Sequence, residues 1–221
     1  MKRKNLFGTT LLAGLLLSSA GAQAGFVFTD AGGSTFSFGD PGTGVNEFQA
    51  ELVGVGVTSP NLGRILGVNG NGIVTATFFG SEAGFNNVFE LGASSIGTGS
   101  APYQLRNTWG AVNPSISTAF AAGALSFSFT AYDGATFIGS LTNAGNGATV
   151  LGSFQSIGMS ITDANTAWLL WDDSGANMDD NHDDMIIRLQ FSPVRVPEPG
   201  TLAMFGFGLA GLALARRRRI A

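Results

Sequence analysis

The run "WDDSGANMDDNHDDMIIRL", Trp171 to Leu189, concentrates the polar chemistry of this chain. Six acids fall within thirteen positions (Asp172, Asp173, Asp179, Asp180, Asp183 and Asp184), and Asn177 and Asn181 add neutral oxygens. Calcium takes about six to eight oxygen ligands in flexible geometry, which an Asp/Asn-rich loop between two strands supplies. Asp172, Asp173, Asp179, Asn181, Asp183 and Asp184 are therefore the candidate calcium ligands. The spacing is not that of an EF-hand. Asp179-x-Asn181-x-Asp183 opens like one, but Asp184 stands where the glycine belongs and Gln190 where the bidentate glutamate belongs. The glycine-aspartate repeat of calcium-binding β-helices is absent too. The same residues also read as a solvated acidic hairpin loop that keeps a strand edge soluble. The sequence leaves both readings open.

Catalytic chemistry has little to work with. His182 is the single histidine, cysteine is absent and no lysine follows Lys4. Nucleophile elbows, paired zinc histidines and phosphate loops are missing. A lone histidine among aspartates is expected as an exposed loop residue, its pKa raised by the negative charge around it. The expected body is non-enzymatic. A carboxylate-only polysaccharide hydrolase stays as an alternative with no convincing acid pair. A carbohydrate-binding module, stacking sugars on Trp109, Tyr103 or Tyr132, is a second alternative.

The elements that must position these residues read as strands. In "LSFSFTAY", Leu125, Phe127 and Phe129 alternate with Ser126, Ser128 and Thr130. Val74, Ala76 and Phe78 point inward between Thr75 and Thr77, while Met185, Ile187, Leu189 and Phe191 share one face opposite Arg188 and Gln190. Trp168 to Trp171 is apolar on both faces and suits a central strand. Asn69-Gly70, Asn71-Gly72, Asp133-Gly134 and Asn146-Gly147 are expected as hairpin turns. One helix is expected in "NPSISTAFAAG", Asn113 to Gly123, with Pro114 in its first turn. The predicted fold is all-β: an antiparallel two-sheet β-sandwich of jelly-roll type over residues 25–195. Its size suffices for one core without disulfides.

Both ends read as addresses. Lys2, Arg3 and Lys4, an apolar run from Leu6 to Leu17 and Ala22-Gln23-Ala24 form a secretory signal peptide over residues 1–24, cut after Ala24. Between Gly25 and Arg195 four arginines face fourteen acids, an excess of ten negative charges that argues against nucleic acid as a partner. At the other end, Pro197-Glu198-Pro199 precedes the apolar stretch 201–215 and then Arg216, Arg217, Arg218 and Arg219. At 1.5 Å per residue that stretch makes roughly 22 Å of helix, short for a ~30 Å hydrocarbon core, with the arginines holding the cytoplasmic end.

Pro-Glu-Pro, a short apolar helix and a terminal arginine cluster, together residues 196–221, resemble the PEP-CTERM sorting signal of Gram-negative bacteria, also labelled an ice-binding-protein C-terminal motif. The resemblance implies export through the general secretion machinery and a transient hold in the inner membrane by a single transmembrane helix. An exosortase then processes the chain at the Pro-Glu-Pro region and the body passes to the cell surface or outside, often in bacteria that make extracellular polysaccharide and biofilm. The acidic turn before the last strand, and "FFGSEAGFNNVFELG" from Phe78 to Gly92, are similar to recurrent pieces of such proteins, with Glu82 and Asn86 expected to brace a loop.

Overall fold

The computed structural model describes residues 23–39, 44–98, 113–144, 155–173, 181–194 and 201–218. Two short strands, β1 (Phe26–Phe28) and β2 (Ser34–Thr35), precede helix α1 (Gln49–Gly54). β3 (Asn61–Leu62), β4 (Leu66–Val68), β5 (Gly72–Gly80), β6 (Asn86–Leu91) and β7 (Ser94–Gly97) follow. Then come β8 (Ser115–Phe120), β9 (Gly123–Ala124), β10 (Phe127–Asp133) and β11 (Thr136–Thr142). The chain continues through β12 (Ser156–Asp163), β13 (Thr166–Asp172) and β14 (Met185–Pro193) to helix α2 (Thr201–Arg218).

The body is all-β and antiparallel, as its alternating pattern requires. The strands join into three sheets, where the sequence suggested two. A seven-stranded sheet runs β2-β3-β12-β13-β14-β5-β8; opposite it lie a four-stranded sheet, β11-β10-β6-β7, and a three-stranded one, β1-β4-β9. The inner faces of all three share one core, with Val74, Ala76, Phe78, Leu169, Trp171 and Leu189 meeting Phe26, Leu66, Phe89 and Phe129. Trp171 stacks on Phe129 at 5.2 Å and 7°. β13 lies between β12 and β14. It sends Leu169 and Trp171 into this core, and Trp168 and Leu170 into a second cluster on the far face under α1, as a strand apolar on both sides must. There Phe48 sits so close to β5 that a Cβ at Gly80 would come within 2.6 Å of its ring.

The opposing layer splits because β4 and β10 do not pair in a ladder. One backbone bond, from the Leu125 N–H to the Leu66 carbonyl (3.0 Å), and the side chain of Asn143 join β4 to the start of β10. Asn143 Oδ1 accepts from the Leu66 N–H at 2.9 Å, and its Nδ2 donates to the carbonyls of Leu66 (2.7 Å) and Leu125 (2.8 Å). It is 2% exposed, so those backbone groups have no water to fall back on. Asn143→Ala is expected to destabilise the chain by about 2–3 kcal/mol in urea unfolding. A loss below about 0.5 kcal/mol would show that the two sheets hold together without it.

Two local expectations are corrected. Asn113 to Gly123 is not a helix, because Ser115–Phe120 form β8 against β5. Period two wins there: Ile116, Thr118 and Phe120 are half-buried, while Ser115, Ser117 and Ala119 face solvent. Asp133-Gly134 makes the β10–β11 hairpin with Gly134 at φ +58°, but Asn69 to Gly72 joins strands of different sheets and neither glycine has positive φ. Asn146-Gly147 lies outside the described residues.

Candidate functional site: a buried aspartate cluster and an apolar tail

β13 ends and β14 begins at the same edge of the core, and this brings the acidic run inside. Asp172, Asp173, Asp183 and Asp184 are buried, as are Asn181 and His182. This corrects the solvated-loop reading for the described members; Asp179, like Asp180 and Asn177, lies outside the described residues. The cause is a dense supply of donors. Asn87 Nδ2 donates to Asp173 Oδ2 (2.7 Å), the Glu47 N–H to Asp183 Oδ2 (2.7 Å) and the Asp173 N–H to Asp184 Oδ2 (2.7 Å). Carboxylates tolerate burial when hydrogen-bonded in this way.

Charge is still crowded. Burial first, then the neighbouring carboxylate of Asp173 and those of Asp172 and Asp183, push the Asp184 carboxyl well above the usual range; the bond from the Asp173 N–H opposes them. Asp184 thus keeps its proton to higher pH than an isolated aspartate does. No group of three or more His, Cys, Asp or Glu side chains among the described residues is arranged to hold a metal ion. The expected calcium set therefore gains no support from Asp172, Asp173, Asp183 and Asp184.

His182 is fully buried rather than exposed. Its ring stacks on Phe36 at 4.5 Å and 26°, and its Nε2 lies 2.6 Å from Ser156 Oγ. Its φ of +58° is unusual for a residue with a Cβ, and Asn46 holds that conformation by donating to the carbonyls of Asn181 (2.8 Å) and His182 (3.2 Å). A serine and a histidine in contact resemble a nucleophile and its base, but both are closed off from solvent.

The bonds around the loop after β5 run through the Glu82 backbone and through Asn86, which is the first residue of β6. The Glu82 N–H donates to the Asp183 carbonyl (2.9 Å), and Asn86 Oδ1 accepts from Thr98 Oγ1 (3.3 Å). The sequence reading missed Asn87, which binds Asp173 and accepts from Trp171 Nε1 at 3.0 Å. The signal was there: stepping back by two from Leu91 and Phe89 puts Asn87 on the buried face of β6. Of the proposed sugar-stacking aromatics, Trp109 and Tyr103 lie outside the described residues. Tyr132 meets the exposed Phe137 edge-on at 73°, so the pair offers no coplanar platform.

The tail forms α2, eighteen residues that continue past Ala215 through Arg216, Arg217 and Arg218. Phe205, Phe207, Leu209 and Leu212 are exposed along it. Residues 195–219 match the family model described as the PEP-CTERM protein-sorting motif. The tail carries a PEP-CTERM sorting motif. The PEP-CTERM match supports an exported protein addressed to an exosortase, and so a surface or extracellular destination. No curated protein and no solved structure matches the chain. One expectation for the tail changes: no described helix is long and apolar enough to cross a membrane. The reason is the arginines, which leave α2 only its first fifteen residues uncharged. Pro197, Glu198, Pro199 and Arg219 lie outside the described residues, as does Ala22, while Ala24 packs half-buried on the core.

Proposed function

We propose that the chain is a non-enzymatic component of the cell surface or extracellular matrix of a Gram-negative bacterium, released or transferred by exosortase processing and associated with exopolysaccharide. The observation that carries this reading is the sorting motif at residues 195–219, which begins directly after the last strand of the folded body, β14 at Met185–Pro193. A helix too short to be a comfortable permanent span suits a temporary hold at the inner membrane while the Pro197-Glu198-Pro199 region is cut. The closed Ser156–His182 contact and the hydrogen-bonded burial of the acids favour a structural role for the polar cluster over catalysis. Intact-mass analysis of the protein from native cells tests the reading. The surface or medium fraction is expected to lack Thr201 to Ala221, and a surface form that keeps Arg216 to Arg219 would overturn it.

A further inference from the structure

The face of the seven-stranded sheet away from the main core carries an arginine, Arg188, that forms no ion pair among the described residues. Ile187 and Leu189 enter the core, so Arg188 between them points to the opposite side of β14. It is half-buried, and its Nε is shielded from water without a hydrogen-bond partner. The guanidinium lies 4.5 Å over the Phe79 ring. Burial alone lowers its pKa, with no carboxylate contributing. Arg64 shows the contrast: it also covers a phenylalanine, Phe28 at 4.4 Å, but is paired with Asp30 at 3.2 Å. Among the described residues Arg188 forms no ion pair.

Its surroundings are neutral and rich in donors and acceptors. Arg188 pairs across the sheet with Thr77 and Trp168, and the next row sets Gln190 between Thr75 and Thr166. None of the residues directly beside or diagonal to Arg188 is acidic. The Thr75 and Ser117 hydroxyls are 2.8 Å apart, extending the polar row onto β8. Four of the acids that make the body negative are buried in the cluster at the start of β14.

We propose that this face binds a carboxylate-bearing saccharide, a uronate unit of an acidic polysaccharide, with its carboxylate on the guanidinium of Arg188 and its hydroxyls on the Thr75, Thr77 and Gln190 side chains. Charge complementarity and the flanking polar groups carry this assignment. An arginine already pinned on an aromatic ring has lost little of its planar fork, which matches a carboxylate bidentately. Flanking hydroxyl and amide groups match the neutral remainder of a sugar acid better than they match a bare anion. The proposal rests on the surface-protein reading for the ligand's whereabouts, but its failure leaves that reading intact, since processing is read from the mature mass and not from binding.

The test is calorimetric titration of the full chain in detergent with three short oligosaccharides of equal length: oligogalacturonate, neutral maltooligosaccharide and sulfated maltooligosaccharide. Oligogalacturonate is expected to bind with a dissociation constant on the order of 1 mM or tighter, and to weaken as salt rises. Arg188→Gln should weaken it about tenfold or more. Gln190→Glu, at an exposed position beside the arginine, should do the same without disturbing the core, and so stands in if Arg188→Gln fails to fold. No detectable binding of oligogalacturonate overturns the site, as does unchanged binding by Gln190→Glu or by a folded Arg188→Gln. Equal binding of the neutral sugar overturns the role of charge, and equal binding of the sulfated one overturns the carboxylate assignment.

Discussion

Replacing Asn87 by leucine is expected to cost about 3–5 kcal/mol of stability, the largest loss foreseen for any single polar residue here. Asn87 is fully buried and ties its own strand, β6, to the ends of two others. Its amide donates to the Asp173 carboxylate at the end of β13 (2.7 Å) and to the Asp184 carbonyl at the start of β14 (3.4 Å). Its carbonyl accepts from the Trp171 indole (3.0 Å). Leucine fills similar space but offers none of these bonds, so a buried carboxylate and a buried indole N–H lose a partner where water does not reach. Urea denaturation of the purified protein measures the effect, with Ser117→Ala on the open sheet face as a control expected to change stability by less than about 0.5 kcal/mol. A leucine variant within about 1 kcal/mol of the parent would mean that hydrophobic packing alone closes this edge.

The second large effect concerns pH. Asp184 has a folded pKa well above its unfolded value, so the native state binds the extra proton. Below the unfolded pKa, near 3.8, both states are protonated and the favourable contribution is fully present. Above it the unfolded chain releases the proton first, and stability falls as pH rises toward the folded pKa, by at most about 1.4 kcal/mol per pH unit for one group. The Asp184 contribution therefore makes the chain more stable near pH 5 than near pH 7, opposite to the usual carboxylate trend. Asp184→Asn keeps an oxygen to accept from the Asp173 N–H while removing the titration. It is expected to raise the melting temperature at neutral pH and to flatten the slope. A parent whose melting temperature rises steadily from pH 5 to 7, with the asparagine variant parallel to it, would refute the assignment.

How much of this was legible beforehand depends on what each residue's neighbours are. Val74, Ala76 and Phe78 alternate with threonines, and the core face of β5 follows from that period alone. Trp168 to Trp171 announced a strand covered on both sides, and the structure covers it with the main core and with Phe48 and Leu52 beside α1. Ser115 to Phe120 misled because Asn113 and Pro114 resemble a helix start, whereas the pairing with β5 that overrides them is a distant partner. The acidic run misled for the same reason. Local charge argues for solvent, and the donors that permit burial come from Asn46, Glu47, Ser81 and Asn87, all about a hundred residues away in sequence. The sorting motif was legible because its three parts are contiguous and need no tertiary partner, whereas the membrane span expected within it was not borne out.

The place of β14 in the large sheet also sets a timetable. Among the described residues it is the last strand to leave the ribosome, yet it lies between β13 and β5 and joins halves of the sheet made from distant stretches of chain. Until it arrives, both neighbours present open edges and the core lacks Met185, Ile187, Leu189 and Phe191. The sheet thus closes only once residues up to Pro193 have been made, two positions ahead of the sorting motif. The core and the sorting motif are therefore completed almost together in synthesis, because the strand that joins the two parts of the large sheet is also the one next to the motif.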